Sequence, residues 1–228
     1  MTICIIPARS GSKRLKNKNI KKINNVPLLG IVIKIALASK IFKKIIVSTD
    51  SKKIAKLAVQ YGAEIPFMRS KKLSGDFTPI YEVLLNTVRR INVKDKYIFC
   101  IYPTAIFTKP SDLKKAFLLI KKANADMFFP TIKRDSNILR SYVKKGKYIE
   151  FAQPKFSVSR SQDLPEVFSD TGSFYIYKQS SLLKLNRKNT KPKKTITYPI
   201  DKKKTLDIHN SADFKRGKEL FKKYKFQS

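Results

Sequence analysis

The chain has 228 residues, of which 42% are hydrophobic, so it can bury a proper core and is not expected to be disordered. Its net charge of +34 would suit a nucleic-acid-binding protein, but forty of the fifty basic residues are lysines, and they are spread along the whole chain. Because no basic stripe or tail stands out, we expect solvated lysines rather than a nucleic-acid partner.

Neither export nor membrane insertion is predicted. No charged segment with a separate apolar stretch precedes the first predicted strand, and no apolar run approaches the roughly 18 residues that span a bilayer. The two cysteines, Cys4 and Cys100, fall inside apolar strand-like runs. We therefore expect a cytoplasmic protein in which both thiols are reduced, buried and used for packing.

The first half of the chain alternates strand-like and helical patterns. Continuous apolar runs predict strands at 3–6, 44–49, 63–67, 97–101 and 127–129. Apolar residues at helical spacing follow near residues 28, 52, 80 and 110, and we interpret Asp50, together with Ser51, and Asp112 as helix caps. This alternation predicts an α/β fold with a mainly parallel sheet that is covered on both faces.

The alternation breaks after residue 130. A β-hairpin is predicted over 138–151, a strand over 173–177, a further extended run over 195–200 and a closing helix over 211–224. We interpret residues 1–228 as one domain. Within it, approximately residues 136–170 form an excursion that covers the site or pairs with another subunit.

A basic loop follows the first predicted strand. Residues 7–19 place five cationic side chains around a Ser-Gly-Ser turn. A glycine-containing basic loop at the carboxyl end of a buried strand is a usual place for an anionic ligand in an open α/β sheet. The loop fits neither the Walker A spacing nor Gly-x-Gly-x-x-Gly. It therefore predicts a nearby phosphate or carboxylate, and the alternative is a solvated lysine-rich turn.

Asp207 stands out among the 16 acidic residues. It alternates with Leu206 and Ile208 near the end of a predicted short strand, which would hold its carboxylate rigidly. Such a carboxylate is a candidate ligand for Mg²⁺, and the alternative is a cap on the following helix. The single histidine, His209, has no Gly-x-Ser-x-Gly elbow to accompany it, so hydrolase chemistry is not expected.

The basic loop also resembles a known family signature. Residues 6–14 together with Lys18 and Asn19 resemble the opening motif of the cytidylyltransferases that make CMP-activated nonulosonic acids. Residues 47–50, 61–69 and 102–105 follow in the same order and spacing as in that family. Residues 159–165 and 169–175 look most like its pseudaminic acid branch, and the resemblance covers nearly the whole chain.

This resemblance implies a Rossmann-like nucleotidyltransferase fold of the glycosyltransferase-A type, with three layers, and a homodimer joined through the excursion. It also implies Mg²⁺ as cofactor. The reaction would join CTP to a nine-carbon sugar acid, giving a CMP-sugar for surface glycan or flagellin glycosylation and releasing pyrophosphate. Catalysis would then consist mostly of positioning and charge stabilisation.

The resemblance also assigns roles to individual residues. Arg9, Lys18 and Asp207 would be catalytic, and Asp207 would hold the metal, with His209 as a second candidate ligand. The nucleotide would be bound by Ala8, Arg9, Ser10, Gly11, Ser12, Asn19 and Arg69. The sugar acid would be bound by Thr104, Arg160, Gln162, Asp163, Asp170, Gly172 and Phe174, with Arg160 suited to its carboxylate.

Three departures from the family pattern leave alternatives open. His209 stands where the family usually has Asp or Asn and is a poor ligand for Mg²⁺, so a non-catalytic relative is one alternative. Ser10 replaces a common glycine and fits only at negative φ. Residues 170–172 lack a preceding histidine. Sialic, legionaminic or 3-deoxy-octulosonic acid are alternative substrates, and a basic nucleic-acid-binding protein is an alternative of another class.

Overall fold

Buried β-branched and aromatic residues build the central sheet. The structure, a computed structural model, describes residues 2–201 and 205–223. The strands are β1 (Thr2–Pro7), β2 (Lys22–Ile23), β3 (Val26–Pro27), β4 (Phe42–Ser48), β5 (Tyr97–Ile101), β6 (Met127–Arg134), β7 (Tyr142–Lys145), β8 (Tyr148–Phe151), β9 (Val167–Asp170), β10 (Phe174–Lys178) and β11 (Thr195–Pro199). The helices are α1 (Leu28–Ser39), α2 (Lys52–Gln60), α3 (Ile80–Arg90), α4 (Pro110–Lys122), α5 (Gln179–Leu182) and α6 (Ser211–Lys223).

The main sheet is mostly parallel. Its strand order is β11-β6-β10-β5-β1-β4, with β9 paired to β6 outside this path. Strand β1 runs parallel to β4 and β5, and β11 runs parallel to β6. Strand β10 is antiparallel to both of its neighbours, and β9 is antiparallel to β6. The predicted α/β fold with a mainly parallel sheet is therefore confirmed.

Helices cover both faces of this sheet. Alternate residues of β1 point to opposite faces, so Cys4 and Ile6 pack with α1, α2, α4 and α6, whereas Ile3 and Ile5 pack with α3 and α5. Cys100 lies in the second of these cores, and both cysteines are free and fully buried. This confirms the three-layer arrangement and the burial of both thiols.

Two predicted strands are wrong. Residues 63–67 form only a single parallel bridge between Glu64 and Ile46, because Pro66 has no N–H with which to extend the ladder. Asp207 lies on an extended segment without a strand partner. That segment is held by packing, since side-chain carbons of Leu206 and Ile208 approach within 3.4 Å of the position a Cβ at Gly217 of α6 would occupy.

The predicted hairpin is confirmed as β7–β8, which form a separate two-stranded sheet that turns at Gly146 with φ 62°. Strand β9 then returns the chain to the main sheet. The small β2–β3 hairpin and β9 were not predicted. The last residue of the predicted closing helix lies outside the described residues. Among the helices that the structure describes, none has the length and apolar character required to cross a bilayer.

Candidate active site

The carboxyl ends of β1, β4 and β5 bring three loops to one edge of the sheet. Parallel strands end at the same edge, and this edge is where open α/β sheets bind ligands. The basic loop follows β1, Asp50 follows β4, and Tyr102 to Thr104 follow β5. The loop that carries Arg69 joins them through a hydrogen bond from its backbone N–H to the Thr49 carbonyl, at 2.7 Å.

A first cavity of about 520 Å³ opens at this edge. It brings together Arg9, Ser12, Lys18, Asn19, Arg69 and Thr104 from the predicted site residues. The other lining residues were not among the predicted site residues, although some belong to the basic loop and the family motifs; they are Pro7, Lys13, Arg14, Leu73, Gly75, Asp76, Thr78, Ile80, Val83, Tyr102 and Pro103. His209 also lines this cavity. Its wall is strongly cationic, which suits a polyanionic ligand.

Asp50 anchors the basic loop, and its interpretation as a helix cap is wrong. Its two carboxylate oxygens accept hydrogen bonds from the backbone N–H and the hydroxyl of Ser10, both at 2.8 Å. The side chain that caps α2 is Ser51, which accepts from the Ile54 N–H at 3.4 Å. Ser10 is not among the residues with positive φ, so a serine fits where the family has glycine.

The backbone of the basic loop is largely engaged within the chain. The Ser12 N–H donates to the Ser10 carbonyl at 2.9 Å, and the side-chain amide of Asn19 donates to the Arg9 carbonyl at 2.9 Å. Ala8 is buried, and its N–H continues the ladder to the Ser48 carbonyl at 2.9 Å. Gly11 is exposed, with open space where a Cβ would lie.

Arg69 is a buried cation at the inner wall of the cavity. Its side chain is 6% exposed, and its Nε donates to the Ser74 hydroxyl at 3.2 Å. Burial and the nearby Arg9 lower the pKa of Arg69, while Asp50 opposes this shift. Its buried Nη2 has no hydrogen-bond partner within the described chain. A buried donor without a partner is costly, so this group is suited to a ligand acceptor.

An internal carboxylate, Asp76, occupies two cations of the first cavity. Its oxygens lie 2.6 Å from Arg9 Nη1 and 2.7 Å from Lys13 Nζ. The same Arg9 nitrogen donates to the Ser74 carbonyl at 3.3 Å. Hydrogen bonds from Lys13 and Arg9 hold the pKa of Asp76 below its usual range. The loop over 70–78 is thus tied to the groups that would receive an anionic ligand.

Lys18, Asp207 and His209 form one corner of the site. Lys18 Nζ donates to the Ile208 carbonyl at 3.0 Å, and His209 Nε2 lies 2.8 Å from Asp207 Oδ2. Desolvation lowers the pKa of Lys18, and the charge of Asp207 partly offsets this. Asp207 is not the cap of α6, because Asn210 Oδ1 accepts the Asp213 N–H at 2.9 Å, while the Asp213 carboxylate accepts the His209 N–H at 2.8 Å and the Asn210 N–H at 3.0 Å.

Gly172 packs directly against Asp207. Its φ is 63°, and a Cβ built on it would lie 2.9 Å from Asp207 Oδ2, so both conformation and space require glycine here. The Gly172 N–H donates to Asp170 Oδ1 at 2.8 Å, and the Tyr175 hydroxyl donates to Asp170 Oδ2 at 2.5 Å. Burial and this hydrogen bond raise the pKa of Tyr175 well above its usual range.

A second cavity of about 250 Å³ adjoins the first and shares Thr104 with it. The predicted residues Gly172 and Phe174 line it, together with Thr108, Lys115, Tyr198 and others that were not predicted. Asp112, which also lines it, caps α4 as expected by accepting the Lys109 N–H at 2.9 Å. Thr108 precedes α4, Lys115 lies on α4 and Tyr198 on β11, and the approach of these elements to this edge left no local sequence signal.

Four predicted sugar-binding residues do not line these cavities. Arg160, Gln162, Asp163 and Asp170 are exposed and line neither cavity. Arg160 Nε instead pairs with Asp163 Oδ2 at 2.6 Å. Their assignment to the sugar acid therefore stays a prediction.

The candidate metal ligands are one carboxylate, Asp207, and one imidazole, His209. The described residues contain no group of three or more His, Cys, Asp or Glu side chains that could hold a metal ion. Mg²⁺ commonly uses one or two carboxylates and takes its other ligands from substrate phosphates and water. Asp207 lines neither cavity, but it contacts His209, which lines the first, and a single carboxylate fits that pattern. His209, a nitrogen donor, fits hard Mg²⁺ poorly.

Comparison with known proteins identifies the family. Residues 3–225 match the family model described as cytidylyltransferase. The chain belongs to the cytidylyltransferase family. The family predicted from the motifs is thereby confirmed, and this cytidylyltransferase is a nucleotidyltransferase enzyme.

Two relatives and one solved structure illustrate the match. This cytidylyltransferase is 30% identical over 224 residues to the pseudaminic acid cytidylyltransferase of Campylobacter jejuni subsp. jejuni serotype O:2, covering 96% of each chain. It is 31% identical over 219 residues to the CMP-N,N'-diacetyllegionaminic acid synthase of the same organism, covering 93% of this chain and 92% of the relative. A CMP:2-keto-3-deoxy-manno-octonic acid synthetase complexed with CTP shares its fold, with a TM-score of 0.74, 14% identity and coverage of 98% and 99%.

Proposed function

We propose that this cytidylyltransferase transfers CMP from CTP to pseudaminic acid and releases pyrophosphate, supplying surface glycan or flagellin glycosylation. The observation that carries the proposal is the pair of adjoining cavities that meet at Thr104, one of them lined by cations. The choice of pseudaminic acid is supported by the motifs at 159–165 and 169–175 and by the relative that bears this name over 96% of its length.

The first cavity is the proposed CTP site. Arg9 and Lys18 would bind the triphosphate, and the unpartnered Nη2 of Arg69 would donate to an acceptor on the rest of the nucleotide. The anomeric hydroxyl attacks the α-phosphorus in line, the bond to the bridging oxygen breaks, and pyrophosphate leaves with the electron pair while the hydroxyl proton passes to solvent. Fixed cations stabilise the charge that grows on the phosphoryl oxygens.

The second cavity is the proposed site of the sugar acid. Gly172 and Phe174 lie there as expected for sugar-binding residues, and the shared Thr104 stands between the sugar and the nucleotide. This adjacency would place the attacking hydroxyl beside the α-phosphate, which is how a site converts a reaction between two substrates into a positioned one. Arg160 is exposed on the excursion and pairs with Asp163. To bind the carboxylate of the sugar acid, Arg160 would have to reach the sugar from outside the two cavities.

Mg²⁺ is the proposed cofactor, held by Asp207 and the phosphates of CTP. Bound there, Mg²⁺ would offset negative charge on the triphosphate. Asp207 is available for this because its carboxylate contacts solvent and His209 and does not cap α6. His209 would remain a neighbour that hydrogen-bonds Asp207 rather than a preferred Mg²⁺ ligand.

A homodimer joined through the excursion is also proposed. The β7–β8 hairpin exposes Tyr142, Val143, Tyr148 and Ile149, each by about half or more. Clustered apolar side chains on a surface hairpin favour a protein partner, and a second copy of this chain is the partner that the resemblance implies. We place the reaction in the cytoplasm, where CTP is made.

Pyrophosphate release tests the proposed function. The purified chain would be incubated with CTP, Mg²⁺ and one sugar acid at a time. The acids are pseudaminic, legionaminic, sialic and 3-deoxy-octulosonic acid. We expect the highest kcat/KM with pseudaminic acid. Turnover of another acid alone would overturn the branch assignment, and turnover of none would overturn the reaction.

The non-catalytic alternative has its own test. If His209 marks lost activity, the wild-type chain should be nearly inactive and His209→Asp should restore a large rate. We expect instead an active wild type. The nucleic-acid alternative predicts salt-steep binding to DNA or RNA with a real specificity ratio, and we expect only weak, sequence-independent binding that salt abolishes.

A further inference from the structure

Asp50 makes a two-point contact with the basic loop. Strands β1 and β4 are parallel neighbours with Pro7 opposite Ser48, so the segments that follow them leave the sheet side by side. Asp50 Oδ1 accepts the Ser10 N–H and Oδ2 accepts the Ser10 hydroxyl, both at 2.8 Å. The two bonds fix the direction of the carboxylate and of the loop backbone together, as charge-assisted pairs do.

Asp50 also compensates the charge of Arg69. Arg69 is 6% exposed and close enough to Arg9 for their like charges to interact unfavourably. The carboxylate of Asp50 opposes that effect, and the Arg69 N–H is held by the residue before Asp50, the Thr49 carbonyl, at 2.7 Å. A single carboxylate therefore supports both the loop and the buried cation, although Asp50 itself does not line the cavity.

The Ser10 contact determines which backbone N–H groups of the loop lack a hydrogen-bond partner within the chain. The Ser10 N–H is taken by Asp50 and the Ser12 N–H by the Ser10 carbonyl. Among residues 10–12, all of them described, this leaves the Gly11 N–H as the amide not engaged within the chain. An exposed amide beside Arg9 is a suitable donor to a phosphate oxygen.

We propose that Asp50 is a positioning residue for CTP binding, which acts through Ser10 and Arg69. It holds the loop so that Gly11 faces the triphosphate, and it keeps Arg69 in place for the rest of the nucleotide. This inference rests on the proposed nucleotide site. It assigns to Asp50 a role in substrate affinity rather than in the chemical step.

Isothermal calorimetry of CTP and of inorganic tripolyphosphate tests this role on four variants. Asp50→Ala removes both bonds and the charge, Asp50→Asn removes the charge, and Ser10→Ala removes only the hydroxyl bond. We expect Asp50→Ala to raise the Kd for CTP by about 10-fold to 100-fold and Ser10→Ala by about 3-fold, in line with hydrogen bonds to charged groups. Asp135→Asn is the matched control, because Asp135 accepts a similar backbone hydrogen bond, from the Asn137 N–H at 2.9 Å, and lines neither cavity.

Two further readings separate positioning from a merely structural effect. In Asp50→Ala, the KM for CTP should rise while kcat at saturating CTP and the KM for the sugar acid stay within about threefold, as for lost ground-state binding. Adding Ser10→Ala to Asp50→Ala should weaken CTP binding by less than about twofold further, because both changes remove the same contact.

Several results would overturn the proposal. If Asp50→Asn and Ser10→Ala both bind CTP and tripolyphosphate as tightly as the wild type, the positioning role of Asp50 is refuted while the proposed nucleotide site stands. This holds even if Asp50→Ala fails to fold. Additive effects of Ser10→Ala and Asp50→Ala would show that they act separately. A wild-type chain that binds no CTP would refute the proposed nucleotide site itself, and the inference with it.

Discussion

Replacing Gly172 with alanine should damage the active site more than the fold. Gly172 has a φ of 63°, and an added Cβ would lie 2.9 Å from Asp207 Oδ2 and 3.5 Å from Asp207 Cγ. The methyl group would therefore push on the carboxylate that is the proposed metal ligand. Gly146 offers a matched control, because its φ is 62° and nothing lies within 4 Å of the corresponding Cβ position.

Both substitutions strain the backbone, but only Gly172→Ala also makes a close contact with Asp207. An alanine in the left-handed region costs about 1–2 kcal/mol, which at this chain length corresponds to a fall in Tm of about 2–8 °C in either variant. Only Gly172→Ala also requires a shift, since 2.9 Å is about half an ångström shorter than the 3.4 Å at which ordinary contact begins. A displacement of that size at a reacting centre lowers kcat by about 10-fold or more.

The assay combines thermal unfolding with pyrophosphate release for both variants. We expect similar losses of Tm, with kcat reduced in Gly172→Ala and unchanged in Gly146→Ala. Binding of Mn²⁺ measured by electron paramagnetic resonance in the presence of CTP should weaken only in Gly172→Ala. Equal losses of kcat in the two variants, or full activity in Gly172→Ala, would refute the link between Gly172 and Asp207.

Three more predictions concern charged residues that line the first cavity or support its basic loop. Arg9→Ala should lower kcat by about 100-fold or more in steady-state assays if Arg9 stabilises transition-state charge as proposed; an effect on KM alone would contradict this. Asp76→Asn should lower the KM for CTP, because the triphosphate no longer displaces a carboxylate from Arg9 and Lys13, and salt should shrink the difference; a higher KM would contradict it. Desolvation raises the pKa of Asp50, but the hydrogen bonds from Ser10 lower it by more, so the pKa of Asp50 lies below its usual range. Its stabilisation is therefore present above the unfolded-state pKa of about 4 and lost as the pH falls through the lower folded-state pKa, so the Tm gap between wild type and Asp50→Asn should close in strong acid.

The sheet and the positions of its loops could be predicted from sequence because both depend on local pattern. Alternating apolar runs and helical spacing define the β–α units, and parallel strands bring their carboxyl ends together whatever the side chains are. Arg9, Lys18 and Arg69 therefore meet in one cavity as expected. The sequence predicted strand β10 but not its antiparallel position between β5 and β6, because the sequence of a strand does not reveal its direction in the sheet.

The internal partners of the cations could not be predicted in this way. Asp50 precedes a helix and has the local pattern of a cap, yet a loop 40 positions earlier provides its partner. Asp76 reaches Arg9 only because the loop over 70–78 folds back across the cavity. Asp207 was predicted on a short strand, whereas its segment is held by Ile208, which is buried against Gly217 of α6.

The central claim is a transfer of CMP from CTP to a sugar acid, and phosphorus NMR of one reaction mixture tests it most directly. With the purified chain, CTP, Mg²⁺ and pseudaminic acid, the three CTP resonances should disappear. One phosphodiester resonance and pyrophosphate should replace them in equal molar amounts. Unchanged CTP, or its conversion to inorganic phosphate without a phosphodiester product, would contradict the account.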